Sequence, residues 1–136
     1  MVAGQNCHKV KKYFLLILFF LLFPFKSFSE NYNFIKIIDL DEPWSSSFTS
    51  EEELIITEKS GKIKIVNVNN KKFFEIEHNL NFLEVGQGGL LDIIYKDDFV
   101  WISYSEDRGD LKTSTSIGRA KLNKKKLNFE NIFQAN

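Results

Sequence analysis

Short runs of apolar and β-branched residues follow one another from residue 54 to the end of the chain, with polar turns between them. In one of these runs Ile63 and Ile65 alternate with lysines, at the two-residue period of a strand with one buried face. No segment after residue 29 keeps a helical period. The runs predict strands at 54–58, 62–68, 73–77, 90–95, 100–105, 114–122 and 127–129.

The connections between these predicted strands are short. Gly61, in the turn after the first run, supplies the positive φ that a tight hairpin often needs. Strands joined in this way are typical of antiparallel meanders, which build sandwiches, barrels and propeller blades. Because a blade takes roughly 40 to 50 residues and a propeller has about four to eight blades, the chain after residue 29 amounts to about two blades of an incomplete propeller.

The first 29 residues have a different pattern. Three lysines precede the apolar run 13–23, and Pro24 and the small-x-small triplet 27–29 follow it. This order predicts a helical signal peptide over residues 1–29, cut after Ser29, and hence a periplasmic or secreted protein. The alternative is an uncleaved anchor, which needs about 20 apolar residues. The run is shorter, so we expect no stable membrane anchor.

Charge and cysteine content exclude several classes of function. The chain has 18 basic and 18 acidic residues, but four lysines and no acid precede residue 30, which leaves 14 basic against 18 acidic residues in the body. Such a body lacks the positive field of a nucleic-acid-binding protein. Cys7 would leave with the signal peptide, which excludes thiol catalysis, cysteine zinc sites and iron–sulfur clusters from the mature chain.

The segment 85–92 carries the most distinctive chemistry. Glycines at 86, 88 and 89 surround Gln87 just before an apolar run. They let the backbone approach a ligand closely, and they present an amide with one acceptor and two donors at a loop tip. The alternative is a tight turn with no ligand, which composition alone favours because glycine is common in loops.

Five segments, in order, resemble the amino-terminal part of the soluble pyrroloquinoline-quinone (PQQ)-dependent aldose sugar dehydrogenases, the glucose/sorbosone dehydrogenase family. They are Pro43-Trp44-Ser45 with Phe48, 54–63, 86–92, Asp98-Phe99 with 101–105, and Ile132-Phe133-Gln134. The most specific are the glycine-glutamine segment and the aromatic strand 101–105. The resemblance covers nearly all of residues 30–136, which it identifies as the amino-terminal part of a propeller domain. It favours a ligand contact for Gln87 over a turn alone.

The resemblance implies a six-bladed β-propeller, usually periplasmic, that holds PQQ and calcium in a central pocket. In such enzymes a histidine takes the proton from the anomeric hydroxyl of an aldose, and hydride passes to the quinone to give a lactone. Gln87 is then a cofactor-binding residue. The base and the calcium ligands are expected beyond Asn136, so we assign no catalytic or metal residue here and expect this chain alone to be inactive.

Other residues are given structural roles. His78 precedes the glycine-rich segment and does not match the family's base, so we interpret it as a strand-end or surface histidine. Trp44, Trp101 and Tyr104 could stack on a sugar. Trp101 and Tyr104 lie three apart on a predicted strand and so face opposite sides, and core filling is expected for both. The lysines at 121 and 124–126 indicate a solvated turn.

A second function is compatible with the sequence. The chain could be a non-catalytic exported β-domain that binds a partner or pairs with another chain, such as the missing propeller blades, to close a ring. Two blades alone would expose a long sheet edge and an apolar face, which favours association.

Overall fold

A computed structural model describes residues 31–136, so the predicted signal peptide lies outside the described residues. Residues 35–136 form one compact unit, which contains all the strands. The strands are β1 (Pro43–Phe48), β2 (Glu53–Glu58), β3 (Ile63–Asn67), β4 (Phe73–His78), β5 (Leu90–Lys96), β6 (Phe99–Asp107), β7 (Thr113–Lys121), β8 (Lys126–Leu127) and β9 (Glu130–Gln134). Over the described range there is no helix, and thus none that could cross a membrane. The all-β prediction is confirmed.

The strands form two sheets, with orders β1-β2-β3-β4-β8 and β5-β6-β7-β9. Sequential antiparallel pairing along β1 to β4 and along β5 to β7 confirms the predicted meanders. The exception is β8, which pairs in parallel with β4 at the edge of the first sheet. After β7 the chain therefore crosses to the first sheet and returns to the second as β9, which the meander prediction did not include.

Two strands were not predicted, and the predicted strand 127–129 is shorter than expected. β1 (PWSSSF) is rich in serine, and the two large apolar residues of β9 (ENIFQ) are adjacent, so neither sequence alternates apolar and polar residues. The serines of β1 act between sheets instead. Ser45 donates its hydroxyl hydrogen to Asp92 on β5, and the backbone N–H of Tyr95 donates to Ser47 Oγ at 3.0 Å.

One apolar core joins the two sheets. Its side chains come from alternating positions on facing strands, the arrangement expected of two packed sheets. The buried members are Ile55, Ile63, Ile65, Ile76, Leu90, Ile93, Val100, Ile102, Tyr104, Ala120, Leu127 and Phe129. Tyr104 belongs to this core and Trp101 lies on the opposite face, so the predicted opposition of these two side chains is confirmed. The expectation of core filling holds for Tyr104 and is wrong for Trp101, which is only partly buried. Apolar burial of this kind contributes roughly 25 cal/mol per Å².

The turn after β2 closes around Gly61. Its φ of +100° confirms the sequence prediction, and a Cβ here would lie 2.0 Å from the Phe82 ring. His78 ends β4, and its Nε2 lies 2.7 Å from the Gly61 carbonyl oxygen. Its Nδ1 accepts the Leu80 N–H at 3.3 Å, so Nε2 carries the hydrogen and donates to Gly61. The histidine is structural, in agreement with its predicted strand-end position.

The crossing segment is fastened to the first sheet by Asn79. Its side-chain Oδ1 accepts the Phe129 N–H at 2.7 Å, and its Nδ2 donates to the Phe129 carbonyl at 3.0 Å. Leu127 fills the core beside this contact. Lys124 Nζ forms an ion pair with Glu53 Oε2 at 2.6 Å. Lys124 and the neighbouring lysines are exposed, which confirms the predicted solvated turn.

A buried ion pair lies on the other face of the first sheet. Glu58 Oε1 accepts hydrogen bonds from Lys64 Nζ at 2.6 Å and from the Asp41 N–H at 2.8 Å. Burial raises the pKa of Glu58, but the hydrogen bonds from Lys64 and Asp41 and the charges of Lys64 and Lys62 outweigh it. The pKa of Glu58 therefore lies below its ordinary value.

We expect acid to weaken the fold through Glu58. Because its folded pKa is lowered, the ionised carboxylate stabilises the fold above its ordinary pKa of 4.5, and this contribution is lost as the pH falls through the folded value. Glu58→Gln should lower the free energy of unfolding at neutral pH by about 3 kcal/mol, because it leaves the Lys64 ammonium buried without a carboxylate. It should also flatten the pH dependence below 4.5. Urea titrations of the full chain across this range measure both effects.

The matched control is Glu53→Gln, which breaks the more exposed pair with Lys124 and should cost less than about 1 kcal/mol. An acid dependence of Glu58→Gln identical to that of the wild type would contradict the role of Glu58.

Asn79→Ala should lower the free energy of unfolding by about 2 kcal/mol, since it removes two hydrogen bonds to the partly buried Phe129 backbone. Asn128→Ala, at an exposed position in the same segment, should change it by less than about 0.5 kcal/mol. Thermal or urea unfolding compares the two variants. Equal effects would show that Asn79 does not fasten the crossing segment.

Candidate functional site

Gln87 lies at the tip of a tight turn. The Gly88 N–H donates to the Val85 carbonyl at 2.8 Å, and Gly86 has a φ of +59° at the first central position. A positive φ at this position alone is typical of a type II′ turn, for which glycine is suited. A Cβ at Gly86 would meet no atom within 4 Å. The predicted placement of Gln87 at a loop tip is confirmed, and its side chain is exposed.

The other two glycines anchor the base of this turn. A Cβ at Gly88 would lie 2.9 Å from Ser105 Oγ, and one at Gly89 would lie 2.2 Å from the Lys59 carbonyl oxygen. The Ser105 N–H donates to the Gly89 carbonyl at 2.9 Å, and the Leu90 N–H to the Lys59 carbonyl at 3.3 Å. Because these two glycines have no side chain, other segments of the chain pack directly against their backbone. They fix the turn to β6 and to the β2–β3 connection.

A cleft of about 300 Å³ lies beside Gln87. Its remaining lining comes from the entrance of β1, with Glu42, Pro43 and Trp44, and from Lys59 directly after β2. The start of β1, the end of β2 and the loop before β5 therefore meet here. Trp44 is 46% exposed, so much of its indole ring is open to a ligand.

The charges of the cleft come from Lys59 and Glu42. Lys59 Nζ lies 3.6 Å from Glu42 Oε2, which is longer than a hydrogen bond. The backbone holds these residues more tightly, because the Lys59 N–H donates to the Glu42 carbonyl at 3.1 Å. The cleft therefore combines a flat aromatic ring, an amide, an ammonium group and the Glu42 carboxylate. The first three of these groups suit a planar ligand with carbonyl or carboxylate oxygens.

Sequence reasoning found Gln87 and missed its neighbours. In the sequence, Trp44 is one of three aromatic candidates and part of a resembling segment, and Lys59 lies within the resembling segment 54–63. The glycine pattern identified Gln87, whereas Lys59 and Trp44 reach the cleft through contacts between distant parts of the chain. The available signal was that both residues lie in segments that resemble the family. Within residues 31–136 no group of three His, Cys, Asp or Glu side chains is placed to hold a metal.

The side chains of a second polar cluster form hydrogen bonds with one another. Glu106 accepts hydrogen bonds from Asn131, Gln134 and Ser116, and Asn131 in turn accepts from the Tyr104 hydroxyl. Burial raises the pKa of Tyr104, and the nearby charge of Glu106 adds to this effect. Because these groups bond to one another, we interpret the cluster as a support for β9.

Known proteins resemble this chain over most of its length. An aldose sugar dehydrogenase of Escherichia coli, YliI, is 29% identical over 104 residues, which are 70% of this chain and 28% of that protein. The crystal structure of the soluble aldose sugar dehydrogenase from Escherichia coli in the apo-form matches with a TM-score of 0.62 at 27% identity, over 70% of this chain and 30% of that one.

A more distant match has the same fold. The structure of the PQQ-bound form of aldose sugar dehydrogenase from Streptomyces coelicolor aligns with a TM-score of 0.62 at 17% identity, over 71% of this chain and 31% of that one. At this identity the likeness concerns the fold alone.

The chain spans about 28 to 31% of the length of these relatives. Residues 40–136 match the family model described as Glucose / Sorbosone dehydrogenase. This match extends from the entrance of β1 through β9 and includes the turn that carries Gln87. The chain therefore belongs to the glucose/sorbosone dehydrogenase family.

Proposed function

We propose that this chain is the amino-terminal portion of an exported, periplasmic quinoprotein that oxidises aldose sugars to lactones, and that Gln87 contacts its PQQ cofactor. Family membership supports the reaction class. The observation that carries the proposal is the exposed Gln87, which lies on a turn fixed at its base by Gly88 and Gly89 and lines a cleft with Lys59 and Trp44.

The donor groups of the cleft suit this cofactor. PQQ is a planar quinone with carbonyl and carboxylate oxygens, and when bound it accepts the hydride from the sugar. The Gln87 amide can donate to such an oxygen, and Lys59 supplies a positive charge within the same cleft. Gln87 would orient the ring rather than take part in proton transfer. We place the catalytic base and the calcium ligands in other parts of the protein.

The two sheets are proposed to be consecutive blades of a six-bladed propeller. Ile94 and Phe133 support this arrangement, because both are about half exposed on the face of the second sheet opposite the core. A next blade packing there would bury them. The missing blades are thus the proposed partner. The second candidate, a non-catalytic exported β-domain, uses the same face to bind another protein.

The proposed reaction is tested by reading the gene past codon 136 and assaying the continuous product. With PQQ and calcium, it should reduce a redox dye in the presence of an aldose. Gln87→Ala should lower kcat/KM roughly ten- to hundred-fold, because a hydrogen bond to an anionic cofactor is lost. Gln87→Asn, which keeps a shorter amide, should lose less, and Asn128→Ala should match the wild type.

Aldose oxidation that is unchanged in Gln87→Ala would remove Gln87 from the site. A stop codon after Asn136, with no second gene that supplies further blades, would favour the binding module instead.

A further inference from the structure

We propose that Trp44 and Lys59 are cofactor-binding residues that form, with Gln87, a half-site for the carboxylate-bearing face of the quinone. In this half-site the indole ring stacks on the planar ligand and the Lys59 ammonium pairs with one of its carboxylates. Glu42 holds this ammonium until the ligand displaces it. The inference rests on the proposed function, which assigns the cofactor to this cleft.

Trp44 has open space around its ring. It lines the cleft beside Gln87 and also a second hollow of about 170 Å³, bounded by Leu40, Ser45 and Ile56. Pro43 fixes the backbone just before it. A large aromatic side chain exposed at a rigid strand entrance gains apolar contact when a flat ring covers it. Little conformational entropy is lost in that step, because the side chain has only two χ angles.

Lys59 is positioned but weakly paired. Its side chain is 17% exposed, whereas the Glu42 side chain opposite is 60% exposed. At 3.6 Å their charges attract without a hydrogen bond. The Lys59 backbone is fixed on both sides, by its N–H to Glu42 and by its carbonyl to Leu90. A ligand carboxylate at hydrogen-bond distance would therefore be a better partner than Glu42.

Glu42 is held at the cleft by its own backbone. Its φ of +44° is in the left-handed region, which non-glycine residues rarely adopt. The preceding residue, Asp41, is bound to Glu58 through its N–H at 2.8 Å. The surrounding hydrogen bonds thus maintain this backbone conformation, in which the Glu42 carboxylate lies beside Lys59.

The test is a titration of the full chain with PQQ, followed by tryptophan fluorescence. The chain has two tryptophans. The fluorescence of the Trp101→Phe variant therefore comes from Trp44 alone, and that of the Trp44→Phe variant from Trp101 alone. Trp101 lies in the second sheet, 5.4 Å from Arg119, and serves as the internal control. We expect saturable quenching in Trp101→Phe and none in Trp44→Phe, after correction for light absorbed by the quinone.

The charge partners are tested in the Trp101→Phe background. Lys59→Met should weaken PQQ binding roughly two- to five-fold at low salt and reduce its salt dependence, whereas Glu42→Gln should strengthen it by a similar factor. Lys112→Met removes an exposed charge from the β6–β7 turn and should leave binding unchanged. Lys59→Arg should retain binding, and urea midpoints establish that each variant is folded.

Each alternative outcome has a distinct meaning. If Gln87→Ala weakens binding in the Trp101→Phe background while Lys59→Met does not, the half-site is wrong and the proposed cofactor contact stands. If Lys59→Met weakens binding and Gln87→Ala does not, the assignment of Gln87 fails instead. The half-site is overturned if Lys59→Met and Lys112→Met weaken PQQ binding equally. It is also overturned if no variant shows saturable quenching.

Discussion

The apolar core between the two sheets is the interaction on which the other features depend. Its isoleucines, leucines and valines come from β2, β3, β4, β5, β6 and β8. Those on β3 and β6 occupy alternate positions, so every second side chain of these strands is directed toward the partner sheet. Neither sheet could bury this surface alone. Tyr104 extends the core toward the polar cluster around Glu106, and Leu127 and Phe129 close it after crossing to the first sheet.

This core also brings the cleft together. Gln87 precedes the first strand of the second sheet, whereas Trp44 and Lys59 belong to the first sheet and its turn. The two parts meet where Gly89 lies against the Lys59 carbonyl, at a distance that leaves no room for a side chain. Thr57 adds a second link, donating its hydroxyl hydrogen to the Leu91 carbonyl at 2.7 Å. The orientation of the Gln87 turn is therefore set by sheet packing.

Much of the fold followed from local patterns, because strands with one buried face carry a period of two along the chain. The strands that were missed lack that period for physical reasons. β1 uses serine hydroxyls to bind β5, and β9 lies on an edge with every residue exposed. The parallel pairing of β8 with β4 depends on Asn79 and the Phe129 backbone, residues 50 positions apart, which no local pattern encodes.

The site, like the fold, was predictable where a local sequence pattern encodes it. Three glycines around a glutamine are a local signal, and they identified Gln87. Trp44 and Lys59 carry no such signal, since each becomes part of the cleft only through its contacts with other segments. The family resemblance added a cofactor to the prediction, but the cofactor-binding residue that it specified was again Gln87.

The stability of the fold and the geometry of the cleft meet at the end of β2. Glu58 is the last residue of β2, and Lys59 follows it directly. Glu58 is buried and binds the Asp41 N–H, while the Lys59 N–H binds the carbonyl of Glu42, the next residue. The residues before β1 are therefore held by two hydrogen bonds to the end of β2. Neutralising Glu58 weakens one of them, because a neutral oxygen is a poorer acceptor than a carboxylate. The ionised Glu58 that stabilises the first sheet thus also helps to hold Glu42 and Trp44 at the cleft.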